Sequence, residues 1–210
     1  DWSSDVCSSD LALMENDTRL EDLVSTEEYE LIETFLVDSF AMDIENISRF
    51  QPYFIITMLY PHMLGCVTKS YEQFFLNQAN QLEMKLTGLE TLEEQLHVFE
   101  VLSYNEQAAL LLEFLNNFDD KRKEFQHMLR LYLAQDIGGL WQTILASQTD
   151  NEEFNRRLLY DRNHRWVSRI TNIMREGPTF FAVGAGHLPG NHGILRLLVE
   201  EGFTVERVLD

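Results

Sequence analysis

Cysteine is almost absent from this 210-residue chain, which carries thiols only at Cys7 and Cys66. Neither a disulfide framework nor a CxxC metal site can be built from them, and cysteine usage does not fix a redox compartment. Basic residues are also scarce: 16 Lys and Arg stand against 35 Asp and Glu, a formal net charge of -19. Such an excess of carboxylates repels backbone phosphates, which excludes a nucleic-acid partner. The one basic cluster, NRRLLYDRNHRW, is broken by Asp161. No apolar run is long enough to span a bilayer. No G-x-S-x-G elbow frames any serine and no HExxH occurs, so neither a nucleophilic serine of that type nor a zincin helix is encoded. Four prolines and ten glycines leave no linker, repeat or low-complexity tract that would mark a second domain.

The opening DWSSDVCSSDL has neither helical nor strand periodicity and matches a common sequencing-library adapter translated in one frame. Residues 1–11 are therefore read as an assembly artefact, and 12–210 as a single domain of ordinary size. On that reading the natural N-terminus and any signal peptide are missing, Cys66 is the single thiol, and without Asp1, Asp5 and Asp10 the net charge is -16.

What is present is mostly helix. Apolar residues recur at helical spacing from Ser25 onward, and Ser25 with Glu28, Thr91 with Glu94 and Ser103 with Glu106 have the form of capping boxes. The pattern predicts helices near 26–38, 43–49, 53–64, 70–83, 92–102, 104–117, 119–134, 138–147 and 151–175. Two regions break the habit. MKLTGLE (84–90) alternates apolar and polar residues and reads as a strand. Thr179 to Val183 and Phe203 to Val208 read as strands around a helix at 191–201, started by Asn191 and stopped by Gly202. The expected class is therefore α/β (α+β), mostly helical, with ligands bound where strand ends open into loops, at 88–91 and 184–190.

The second of these loops, GAGHLPG, admits two chemistries. A dinucleotide fingerprint wants G-x-G-x-x-G between a strand and a helix. Gly184 and Gly186 fit it, but Pro189 occupies the third glycine slot, Gly190 comes one residue late, and His187 has no role. A metal site uses the same turn differently: Gly-x-x-His places a neutral imidazole at the rim of the sheet, His187 being one ligand and His192 a candidate second. The local pattern also allows His187 simply to bond the turn and His192 to be solvated. Glu94-x-x-His97 and Glu124-x-x-His127 repeat a spacing used in di-iron bundles, on helices too short for that architecture. His62 and His164 read as packing or surface residues.

Three ordered segments carry a family resemblance: KLTGLETLEEQL (85–96) with FFLNQA before it, LLYDRNHRWVSRI (158–170), and FFAVGAGHLPGNHGILRLLVEEGFTVERV. Together they resemble the TraB/PrgY/GumN group, whose animal relatives are the Tiki proteins. The resemblance implies a small mixed sheet wrapped by helices, similar to erythromycin esterase and ChaN-like folds, in a bacterial protein of the GumN type. It implies either a metal-dependent hydrolase acting on a peptide or related amide bond, with manganese, cobalt or zinc, or a non-catalytic module that captures a peptide pheromone. A Rossmann-like nucleotide-binding segment is the third reading. A cell-envelope or periplasmic location is the family expectation.

In that family the metal site joins two Gly-x-x-His motifs and a glutamate. Gly184 and His187 match the second motif. The first motif, with its glutamate, does not occur here and is expected upstream of residue 12, so the domain would lack its N-terminal strands and the chain would be inactive alone and bind metal weakly. Arg162 and Asn163 match a recurrent pair before a Trp. Arg162 would neutralise an oxyanion or hold a carboxylate, or else form an ion pair. Glu90 is expected to support the site, and His192 stands where the family more often has an acid.

Overall fold

The computed structural model describes residues 12–65 and 68–208. The adapter reading of residues 1–11 and the thiol of Cys66 fall outside them. The chain divides into two compact units, one holding residues up to 88 together with 92–126, the other holding 89–91 and the residues from 127 onward.

The first unit is built on α1 (Thr26–Phe40), α2 (Ile44–Ile47), α3 (Pro52–Met63), α4 (Tyr71–Gln81), α5 (Leu92–Leu96) and α6 (Tyr104–Asn116). Helix α1 starts where Ser25 accepts from the Glu28 amide and Glu28 reaches back to the Ser25 amide, and Ser103 with Glu106 does the same for α6. These reciprocal caps satisfy amides that have no partner within a helix. Ile32 and Leu36 of α1, Ile55, Leu59 and Met63 of α3, and Leu111 and Leu115 of α6 recur at four-residue spacing and belong to one buried cluster.

Gln107 of α6 is a fully buried polar side chain. Its Oε1 accepts from the Tyr53 amide at 3.3 Å, and its Nε2 donates to the Leu102 carbonyl at 3.1 Å and to Gln51 Oε1 at 3.2 Å. Gln51, the residue before α3, makes no side-chain cap of its own. A residue 54 positions away thus supplies the acceptor that the start of α3 needs.

Helix α7 (Phe118–Leu133) is followed by α8 (Ile137–Ala146), α9 (Glu152–Asn155), α10 (Arg162–Met174) and α11 (Ile194–Glu200). Between α9 and α10 the backbone widens into a π turn at Arg156–Asp161. The second unit packs Trp166, Val167 and Ile170 of α10 against Ile194 and Leu197 of α11, with Leu89, Phe181 and Val183 at the margin. No helix among the described residues is long and apolar enough to cross a membrane.

The expected mixed sheet is not formed. Among the described residues the one β pairing is an isolated antiparallel bridge between Leu13 and Phe50. Residues 84–90, 179–183 and 203–208 are irregular. Alternation specifies a face, but a strand exists only when a second backbone supplies its ladder bonds, and none of these segments is paired in a ladder. Some of their apolar residues are also exposed, Phe180 at 69% and Leu86 at 48%. The start of α11 needs correction too. It begins after Gly193 rather than at Asn191, because a Cβ at Gly193 would lie 2.1 Å from the Pro189 carbonyl oxygen and only a bare backbone fits. Gly202, with φ +89°, ends α11 in the left-handed region as expected.

Replacing Gln107 with leucine keeps the volume while removing the acceptor used by the Tyr53 amide and the donor used by the Leu102 carbonyl. Urea unfolding of Gln107→Leu should show a loss of about 1–3 kcal/mol, with the helical circular-dichroism signal of the folded protein retained.

Candidate functional site

The residues singled out in the sequence converge on the first turns of α10. Apolar and polar residues at 162, 163, 166, 167, 170 and 171 form its buried stripe, so two polar side chains, Arg162 and Asn163, enter the interior beside Trp166. They make two separate clusters.

The first cluster is charged. Arg162 donates from Nη2 to Glu90 Oε1 at 2.6 Å and from Nε to Glu90 Oε2 at 3.1 Å, a two-pronged fork. Its Nη1 donates to the Leu158 carbonyl at 3.1 Å. Glu90 Oε2 also accepts from the Trp166 indole at 3.1 Å, and the guanidinium lies 4.8 Å from the centre of the Trp166 ring. Both side chains of the ion pair are about one-tenth exposed. Arg169, two turns along α10, donates to the Leu89 carbonyl. Glu90 sits in a bend rather than at a strand end, and the fork and indole, not a ladder, hold it. Arg162 is paired on every nitrogen, which matches the ion-pair role open for it in the sequence.

The second cluster is neutral. Asn163, 2% exposed, places its Oδ1 2.7 Å from His187 Nδ1, while its Nδ2 donates to the His192 carbonyl at 2.7 Å and to the His187 carbonyl at 3.3 Å. The His187 ring packs on Trp166 with centroids 4.4 Å apart. Burial, with the Arg162 guanidinium as a smaller contribution, brings its pKa down from 6.5 to about 4, so the imidazole is neutral at physiological pH. His192 lies on the exposed side, its ring against Tyr160 at 4.7 Å and its Nδ1 3.3 Å from His164 Nε2. His164, read as a surface residue, is thus the neighbour of His192. In the first unit His62 packs on Phe40.

The turn between these residues is closed by its own amides. His187 donates to Gly184, Leu188 to Ala185, and Gly193 to Gly190. A phosphate cradle needs such amides free and aimed outward at the start of a helix that follows a strand; no strand precedes this turn, and the amides of His187, Leu188 and Gly193 are used internally. Gly184, with φ -61°, is not the tight point: a Cβ there would meet only His187 Cδ2 at 3.7 Å. Gly186 approaches Ile144 of α8, and the close fit falls at Gly190, where φ is +87° and a Cβ would lie 2.6 Å from the Trp141 ring. Pro189 contributes the carbonyl that presses on Gly193. Gly193, Trp141 and Tyr160 escape a sequence reading, since nothing local to Trp141 or Tyr160 reveals that they face the 185–192 turn.

Glu90, Arg162, Asn163, His187 and His192 are therefore brought into one neighbourhood, but its one carboxylate is already engaged by a cation. No group of three or more His, Cys, Asp or Glu able to hold a metal ion occurs among the described residues.

The TraB/PrgY/gumN family model matches residues 8–207 of the chain. Among curated proteins, the zebrafish metalloprotease TIKI2 is 26% identical over 167 residues, 66% of this chain and 32% of its own length. Zebrafish metalloprotease TIKI1 is 42% identical over 66 residues, 30% of this chain and 13% of its own length, and human metalloprotease TIKI1 is 26% identical over 161 residues, 63% and 32% respectively. The matched segments cover a third or less of these relatives. No solved structure matches the chain.

Two outcomes follow from the clusters. Glu90→Ala leaves the Arg162 charge buried without its counter-ion and should destabilise the protein by about 3–5 kcal/mol in chemical denaturation. For His187 the folded value near 4 lies below the unfolded 6.5, so the unfolded chain takes up the proton first. The stability of the metal-free chain is then full above pH 6.5 and declines as pH falls toward 4, by on the order of 1–3 kcal/mol. Urea midpoints across that range should fall less steeply in His187→Gln.

Proposed function

The chain belongs to the TraB/PrgY/gumN family, and from that membership and the neutral, half-buried His187 we propose that it is part of a metal-dependent hydrolase acting on a peptide or related amide bond. The observation that carries the reading is the imidazole: it is held neutral by burial, one ring nitrogen is engaged by Asn163, and the other has no hydrogen-bond partner among the described residues. A neutral ring with one nitrogen bonded and one open is the state in which histidine ligates manganese, cobalt or zinc. The metalloprotease relatives support the same chemistry.

The described residues supply one such ligand and do not by themselves complete a site, which normally takes about three protein donors. When bound, a divalent ion would supply a water of lowered pKa and polarise the scissile carbonyl. The chain's own residues do the rest: Trp166 limits water on one face of His187, Asn163 ties the ring to the turn, and the Glu90–Arg162 pair fixes the start of α10 while Arg162 disfavours a proton on His187. The metal favoured by the reading is manganese or cobalt, and a cell-envelope location fits it.

Peptide capture without catalysis is the second reading, favoured by the incomplete donor set. A titration of this chain with manganese or cobalt, beside His187→Ala, separates the two. The hydrolase reading expects weak binding that the substitution lowers at least tenfold, and no peptide hydrolysis by this chain alone. Equal binding by both proteins would remove His187 from any metal site and leave the capture reading.

A further inference from the structure

The partners of Asn163 fix more than its own position. A carboxamide has two donors on nitrogen and only acceptor capacity on oxygen. Both backbone groups facing Asn163, the carbonyls of His187 and His192, can only accept, so the nitrogen must face them. The flipped amide would set Oδ1 against two carbonyl oxygens. With the nitrogen committed, Oδ1 is what remains for the ring 2.7 Å away, and it too can only accept. The proton on the neutral ring therefore sits on Nδ1, and the lone pair on Nε2.

We propose that Asn163 is a positioning residue that sets His187 as its Nδ1–H tautomer and holds the 185–192 turn closed with the same amide, leaving Nε2 as the one basic nitrogen of the ring. Its use as a ligand rests on the hydrolase reading above; the tautomer itself does not. The arrangement is built rather than incidental. Asn163 is 2% exposed and fully committed, with two donors and one acceptor in use. Trp166 packs against the ring at 4.4 Å, and turning the ring over would exchange Nδ1 for a carbon and leave Oδ1 without a donor. Bonding of the outer nitrogen is the usual means by which a protein orients a ligating histidine and raises its basicity.

The test is the 15N spectrum of histidine-labelled, metal-free chain at neutral pH, which distinguishes a protonated from an unprotonated ring nitrogen. Wild-type His187 should show protonated Nδ1 and unprotonated Nε2; the reverse pattern overturns the proposal without any variant. Asn163→Leu, close in volume but with no polar atoms, should shift His187 toward exchange between both tautomers. Asn163→Asp, which retains an acceptor for Nδ1–H, should keep Nδ1 protonated, read at a pH high enough for the ring to be neutral. A folded Asn163→Leu protein that keeps protonated Nδ1 would also overturn the assignment. If that variant does not fold, the wild-type and Asn163→Asp spectra decide. Cobalt affinity gives the second readout: a loss of about 10–100-fold is expected in Asn163→Leu and little in Asn163→Asp. The expected spectra together with cobalt binding indifferent to His187→Ala would sink the hydrolase reading and leave the role of Asn163 standing.

Discussion

The second unit depends on one buried ion pair. Glu90 and Arg162 are 72 residues apart in sequence, and their fork, closed by the Trp166 indole, brings the short 89–91 segment to the start of α10. Removing two charges from water is costly, and the geometry must return that cost through hydrogen bonds to both ions. Here both carboxylate oxygens and three guanidinium nitrogens are satisfied. Once Arg162 is fixed, the next residue, Asn163, is delivered to the 185–192 turn, and Trp166, one turn on, is delivered to the face of His187.

The two clusters on α10 are complementary in charge. Glu90 balances Arg162 without cancelling its influence on His187, whose ring stays neutral because it is buried and because a cation stands nearby. A neutral amide, not a carboxylate, touches the ring. An acid in that place would favour the protonated imidazole, whereas the carboxamide orients the ring with no such effect.

Most helices, and the starts of α1 and α6, were legible in the sequence because their signals are local. The Ser25 and Ser103 capping boxes and the i, i+3, i+4 apolar spacing of α1, α3 and α6 act within a few residues. Glu90, Arg162, Asn163, His187 and His192, singled out in the sequence, do come together, but their wiring was not legible there. Nothing in LLYDRNHRW indicates that Arg162 turns to Glu90 while Asn163 turns to His187. The sheet was misread for the same reason in reverse: alternation in 84–90 and 179–183 is a local property, whereas a ladder is a relation between segments. Gln107 and Gly193 were missed because their roles are defined by what lies against them, the Tyr53 amide in one case and the Pro189 carbonyl in the other.

The π turn at Arg156–Asp161 gives α10 an angular setting of its own. Each residue of an α-helix advances the chain by about 100°, and a π turn accommodates one residue more than an α turn. Tyr160 meets the exposed ring of His192 while Arg162 and Asn163, only two and three positions later, are buried. Loss of a single residue between 156 and 161 would let the backbone relax into unbroken α-helix. The wide turn thus takes up a residue that an unbroken helix from α9 to α10 would not hold, and works as a phase adjuster between the residues on either side of it.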